Sequence, residues 1–297
     1  MARSGEGGSL GGHIVPAIFF LVYGIWWIIA TFWLYLSQKY NLKIKQKGFF
    51  DIENIAKKSY IPICLLPLWP IEPVLKILFP SMGIIMEAFF RVRPNDTEHD
   101  QHYETGVWSM YNSDGSFAML VKLHHITMHL CFIVSGIVDL LSLCSRYPKH
   151  TSKLFLALAF FVETFLFYFH IQDDKDRSQL EVLMHELLIF SIGVCVVFAA
   201  LRMVRSSNIL INGGLAVGIT LQGTWLIEIG VVIFGPVEWK DVHNNNMFIV
   251  ACYVWHCMCI IVGMFILFTA MEYGVQRYTR KKQVYQLLDK EWEETQT

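Results

Sequence analysis

The stretch MLVKLHHITMHLCFIVSGIVDLLS, residues 119–142, decides how this chain is read. It is long and apolar enough for one bilayer crossing, which takes about 20 residues. Its first half nevertheless carries His124, His125 and His129. Imidazoles inside a hydrocarbon span are costly, so they face a bundle interior or a water-filled cavity and signal a functional site. His125 and His129 are four apart, so on a helix they stack on one face. That spacing serves a metal, a proton relay or a hydrogen-bonded helix interface.

The rest of the chain repeats the pattern. Of 297 residues 54% are hydrophobic and 16% charged, which excludes an ordinary soluble domain. A net charge of −1 argues against nucleic acid as a partner. The cysteines all lie in or beside apolar stretches, so they read as buried thiols rather than a disulfide framework. Apolar runs fall at 14–36, within 61–90, and at 119–142, 154–171, 180–201, 209–234 and 247–271. The second run is rich in proline and is expected to be irregular in its first half. The expected architecture is an all-α, seven-transmembrane-helix bundle: a short N-terminal tail over 1–13, a membrane domain over 14–273 and a C-terminal tail over 274–297. The tail is expected to extend the last helix or fray from it.

Lysine and arginine concentrate in the loops after spans one, three, five and seven. The positive-inside rule then places the N-terminus lumenal or extracellular and the C-terminus in the cytosol. The sequon at Asn95 falls on the lumenal side, open to glycosylation. In that frame His13, Glu87, His124, His125, His129, Glu163, His170, His185, Glu186, Glu228 and His256 all lie in the lumenal half. The opposite half shows little beyond Asp139. A polar pocket lined by His124, His125, His129, Glu163, His170, Glu186, Trp225 and Glu228 is expected, with His125, His185 and His256 as metal ligands if it holds a metal. Trp225 also reads as a packing aromatic, and Glu228 as interhelical glue.

Several motifs resemble one family. They are Gly12-His13 with Pro16, Gly24-x-Trp26-Trp27, His124-His125-x-x-Met128, FVETFLFYFH ending at His170, His185-Glu186-Leu187-Leu188, LQGTW with Glu228, and Trp255-His256. Together and in this order they resemble the transmembrane protein 45 family of multi-spanning membrane proteins of unassigned chemistry. The resemblance implies a seven-span protein of Golgi, endolysosomal or plasma membranes and supplies no reaction. The chain departs from the family at His129, where Tyr is frequent, at Glu228, where Gln also occurs, and at Gln172, where a second His is common.

Four functions fit these residues. One is an intramembrane zinc site, supporting hydrolysis of a lipid, with Glu186 or Glu163 as ligand or base; no H-E-x-x-H motif is present. Another is a pocket that binds protons, a small ligand or a lipid headgroup. Haem is disfavoured, because histidines clustered on one side leave room for one group at most. The last is a scaffold without cofactor, whose polar groups hold helices together. The expected partner is the lipid bilayer, and a homo-oligomer is compatible with the sequence.

Overall fold

The structure is a computed structural model that describes residues 10–42, 71–89, 115, 117, 120–144, 147–172, 177–237 and 239–295. Among these are seven α-helices: α1 (Leu10–Lys39), α2 (Ile71–Phe89), α3 (Leu120–Cys144), α4 (Thr151–Gln172), α5 (Gln179–Val204), α6 (Ile209–Phe234) and α7 (His243–Thr295). All but α2 contain a segment long and apolar enough to cross a membrane. The protein is therefore an all-helical, multi-pass membrane protein. Asn95 and residues 61–70 lie outside the described residues.

Helix ends follow local chemistry. Ser178 caps α5 by accepting from the Glu181 amide at 3.2 Å. Asn208 caps α6, accepting from the amides of Leu210 and Ile211 at 2.8 and 3.2 Å. Each cap satisfies amides that the first helical turn leaves without an intrahelical acceptor. Helix α1 starts at Leu10 rather than Ile14, so His13 is a helical residue and not part of a tail. Helix α7 runs unbroken to Thr295, well past Tyr273, so the tail extends the last helix as expected; the run Gln276–Lys282 holds no glycine or proline to stop it.

The helices pack in the cyclic order α1, α6, α5, α4, α3, α2, with α2 returning to α1. Helix α7 lies outside this ring against α6, α5 and α1. The closest seam joins α1 and α6, where Gly24 meets Thr220 and Gly223 meets Ala17 and Leu21. Helix α6 is the most enclosed: Leu215, Trp225 and Ile229 are fully buried, beside Met184, Leu188 and Ile192 of α5. Phe161, Phe190, Phe265 and Ile266 instead point outward. Large exposed apolar side chains on every long helix are what a lipid environment requires.

Three helices show the inward stripe in their sequence spacing. His125, Phe132, Ser135 and Asp139 follow it along α3. Leu156, Phe160, Glu163 and His170 do so along α4, and His185, Leu188, Cys195 and Arg202 along α5. Steps of three and four residues keep these side chains on one face. The stripes on α3 and α5 are polar at both ends and apolar or sparsely polar between them.

Along α7 the side chains from Arg280 to Gln286, and those of Leu288 and Trp292, are exposed. Truncation after Gln286 is therefore expected to leave the thermal unfolding midpoint of the purified protein unchanged within about 2 °C. A larger fall, measured by intrinsic fluorescence in detergent, would show that the extension stabilises the bundle.

Candidate functional site at the histidine end

One end of the ring gathers histidines from four helices. His13 comes from the second turn of α1, His124 and His125 from the start of α3, His170 from the end of α4, and His185 from the start of α5. Their rings touch in sequence: His125 to His170 at 5.2 Å between centroids, His170 to His185 at 6.0 Å, and His185 to His13 at 5.9 Å. His124 also approaches His170, at 6.5 Å. Phe167 and Phe234 close the cluster, packing on His125 and His13. His170 and His185 are buried.

Hydrogen bonds orient several of these rings. His185 Nδ1 lies 2.8 Å from the carbonyl of Glu181. A carbonyl only accepts, so Nδ1 carries a hydrogen and Nε2 is the free ring nitrogen. His170 Nε2 faces the Arg177 guanidinium at 3.4 Å. A guanidinium only donates, so His170 Nε2 is the acceptor and its hydrogen sits on Nδ1. His125 Nδ1 pairs with Glu87 Oε1 at 2.8 Å, an α2 carboxylate able to balance an imidazolium. Arg177 Nε is also 3.8 Å from Glu181 Oε1. The cluster thus combines two carboxylates, one guanidinium and a file of imidazoles.

The expected residues divide into groups. His124, His125, His170 and His185 come together, joined by His13 and Glu87. His129 lies one turn further along α3, against Gly83 of α2; a β-carbon at Gly83 would stand 2.5 Å from its Nε2. His256 is placed elsewhere, with its Nε2 3.8 Å from Glu228 and its ring 5.5 Å from that of Trp225. Trp225 is fully buried and donates from Nε1 to the Met184 carbonyl at 2.8 Å. Among the described residues, no three His, Cys, Asp or Glu side chains group as a metal site. Glu186 is exposed, while its neighbour His185 is buried. Successive helical residues differ by about 100° in direction, so an inward His185 turns Glu186 outward.

Glu163 is buried about two turns below His170, with Oε2 lacking a hydrogen-bond partner among the described residues. It lies within electrostatic range of Cys195, whose sulfur accepts from Gln222 Nε2 at 3.2 Å.

The other end of the ring is a charged centre that the sequence reading missed, beyond Asp139. Lys76 Nζ of α2 is 2.8 Å from Asp139 Oδ2 of α3, and both side chains are buried. Glu72, one turn from Lys76, accepts from Trp27 Nε1 at 2.9 Å. The Glu72 carbonyl accepts from the Tyr23 hydroxyl at 2.8 Å. Arg202 of α5 stacks on the Trp27 ring at 5.1 Å, within electrostatic range of Glu72 and Asp139. Two acids and two bases from three helices therefore meet in a balanced group. One signal was available in the sequence. Glu72, Lys76 and Glu87 interrupt an otherwise apolar α2, and charges within a span call for partners inside the bundle.

Residues 149–269 match a family described only as a family of unknown function (DUF716). That segment runs from just before α4 into the membrane portion of α7. It includes Glu163, His170, His185 and Arg202, whereas His13, Glu87, His125, Lys76 and Asp139 lie before it.

Proposed function

We propose that the histidine end is a proton-binding polar site of a membrane protein similar to the transmembrane protein 45 family. The observation that carries this reading is the succession of imidazoles from His125 through His170 and His185 to His13, with Glu87 on His125. Centroid spacings of 5.2–6.0 Å suit stepwise proton exchange between rings. A shared zinc centre would instead bring ring nitrogens to roughly 2 Å from one point. Histidine is the side chain whose ordinary titration range spans mildly acidic to neutral pH. The ionisable groups facing the site are His13 from α1, Glu87 from α2, His124, His125 and His129 from α3, His170 from α4, and Arg177, Glu181 and His185 at the start of α5.

The alternation of basic loops supports a lumenal histidine end and a cytosolic charged end. In that orientation the site would face an acidifying compartment of the late secretory or endolysosomal system.

The test is the charge state of the rings. In protein with ¹⁵N-labelled histidine in lipid nanodiscs, the cluster as a whole is expected to pass from neutral to carrying an imidazolium within about pH 8 to 5. Glu87→Gln removes the countercharge and is expected to abolish that transition in the same window. Cluster rings that keep one charge state throughout would overturn the reading.

A further inference from the structure

We infer that the ring interior is a transmembrane proton path joining the histidine end to the Lys76–Asp139 centre, with Glu163 as its relay. This rests on the proton-binding reading of the histidine end and extends it to a second terminus and a route.

The two centres are set at matching heights on separate helices. His125 and Asp139 are fourteen residues apart on α3, and His185 and Arg202 seventeen apart on α5. Glu87 and Glu72 are fifteen apart on α2, and His13 and Trp27 fourteen apart on α1. At roughly 1.5 Å per residue these are separations of about 21–26 Å, close to the hydrocarbon thickness of a bilayer. Separate sequences agree on one polar layer near each face.

Between the layers lie buried polar groups that no packing argument requires. Ser142 and Ser152 hydrogen-bond at 3.0 Å and set α3 and α4 in register. From that level, the helical rise puts Asp139 at about 5 Å, Ser135 at about 11 Å, Glu163 at about 17 Å, and His125 and His170 at about 26 Å. The differences in height along this ladder are about 6 to 10 Å, lengths that one to three hydrogen-bonded waters would span. Ser135 Oγ, Glu163 Oε2 and Gln222 Oε1 are all buried with no hydrogen-bond partner among the described residues. Buried polar atoms of this kind are satisfied by ordered water. Phe132 and Phe160 meet edge to face at 5.3 Å near the same height, with Phe20 beside Phe132 at 6.2 Å. That aromatic layer would isolate the two ends, and Glu163 is the ionisable side chain standing next to it on α4. A carboxylate there accepts one proton from an imidazolium through water, leaving a neutral ring. It then releases that proton toward Ser135 and Asp139, or in reverse under an opposite gradient. Each cycle moves one proton and leaves every group as it began.

The experiment is proton flux in sealed vesicles. Full-length protein is reconstituted with a trapped pH dye, and a potassium diffusion potential supplies the driving force. Wild-type vesicles are expected to change internal pH at least tenfold faster than protein-free vesicles. Glu163→Gln keeps the shape but not the titratable group, and should return the rate to the protein-free level. Ser135→Ala removes only a hydroxyl and should slow the rate several-fold. Outward-facing Glu186→Gln should match wild type. A wild-type rate equal to that of protein-free vesicles overturns the path, and a Glu163→Gln rate equal to wild type overturns the relay. If the histidine rings titrate while no flux is seen, the proton-binding site stands and the path falls. If the rings do not titrate, the site itself is wrong.

Discussion

Lys76→Met is expected to destabilise the bundle by about 3–5 kcal/mol, the cost of leaving a buried carboxylate without its partner. Lys76 and Asp139 are held at 2.8 Å with side chains only 10% and 4% exposed. Water cannot replace the ammonium cheaply at that depth, and Arg202 is already engaged with Trp27. The companion variant separates pairing from packing. Lys76→Met combined with Asp139→Leu removes both charges and is expected to recover most of the loss, because a buried ion pair is often no more stabilising than apolar residues of similar volume. Lys39→Met is the surface control. Its pair with Glu272 is 45% and 22% exposed, so its loss should leave stability nearly unchanged. Unfolding in mixed detergent micelles reads all three variants. A double variant as unstable as Lys76→Met would show that the charges hold the fold through more than each other.

Adding one methyl group at Gly24 or Gly223 in the α1–α6 seam is expected to be nearly as damaging. A β-carbon at Gly24 would stand 2.8 Å from the Thr220 amide nitrogen and 2.9 Å from its Cα. One at Gly223 would stand 2.8 Å from the Leu21 amide nitrogen and 2.9 Å from the Ala17 carbonyl oxygen. Those atoms are backbone, so relief requires the helices to separate rather than a side chain to turn. Within a bilayer, apolar burial does not drive helices together, and close packing at small residues carries the association. Gly24→Ala and Gly223→Ala are each expected to cost about 2–3 kcal/mol. They share one seam, so the double variant should be less than additive. Gly263→Ala is the control, since its β-carbon would meet nothing within 4 Å. Unchanged unfolding midpoints in both seam variants would mean that the helices do not approach this closely.

Much of the scaffold was legible because hydrophobic length is a local property. The spans containing His125, Glu163, His185 and Trp225 each declare themselves in about 20 apolar residues. The spacing of Ser135 from Asp139, or of His170 from Glu163, already states which side chains share a face. Depth along a span was legible for the same reason, so His124, His125, His170 and His185 could be grouped by height before any fold was known. Their azimuth was not. Depth put His256 with His125, but rotation and packing of α7 outside the ring set it against Trp225 and Glu228. Glu186 was drawn inward by its neighbour in sequence, although a helix turns adjacent residues apart.

What the sequence alone determined, then, is an all-helical membrane protein with seven apolar runs and histidines near one face. Those features depend on residues close together in the chain and on a solvent that tolerates no unpaired backbone. The tertiary structure decided which helices are neighbours, and hence every partner across helices: Glu87 for His125, Lys76 for Asp139, Trp27 for Glu72. The physical reason is that helix order depends on which surfaces approach closely, as at Gly24 and Gly223, and on where buried charges cancel. Neither is written in the periodicity of any one segment. Lys76 and Arg202 find their partners only once α2, α3 and α5 bring them to Asp139 and Trp27.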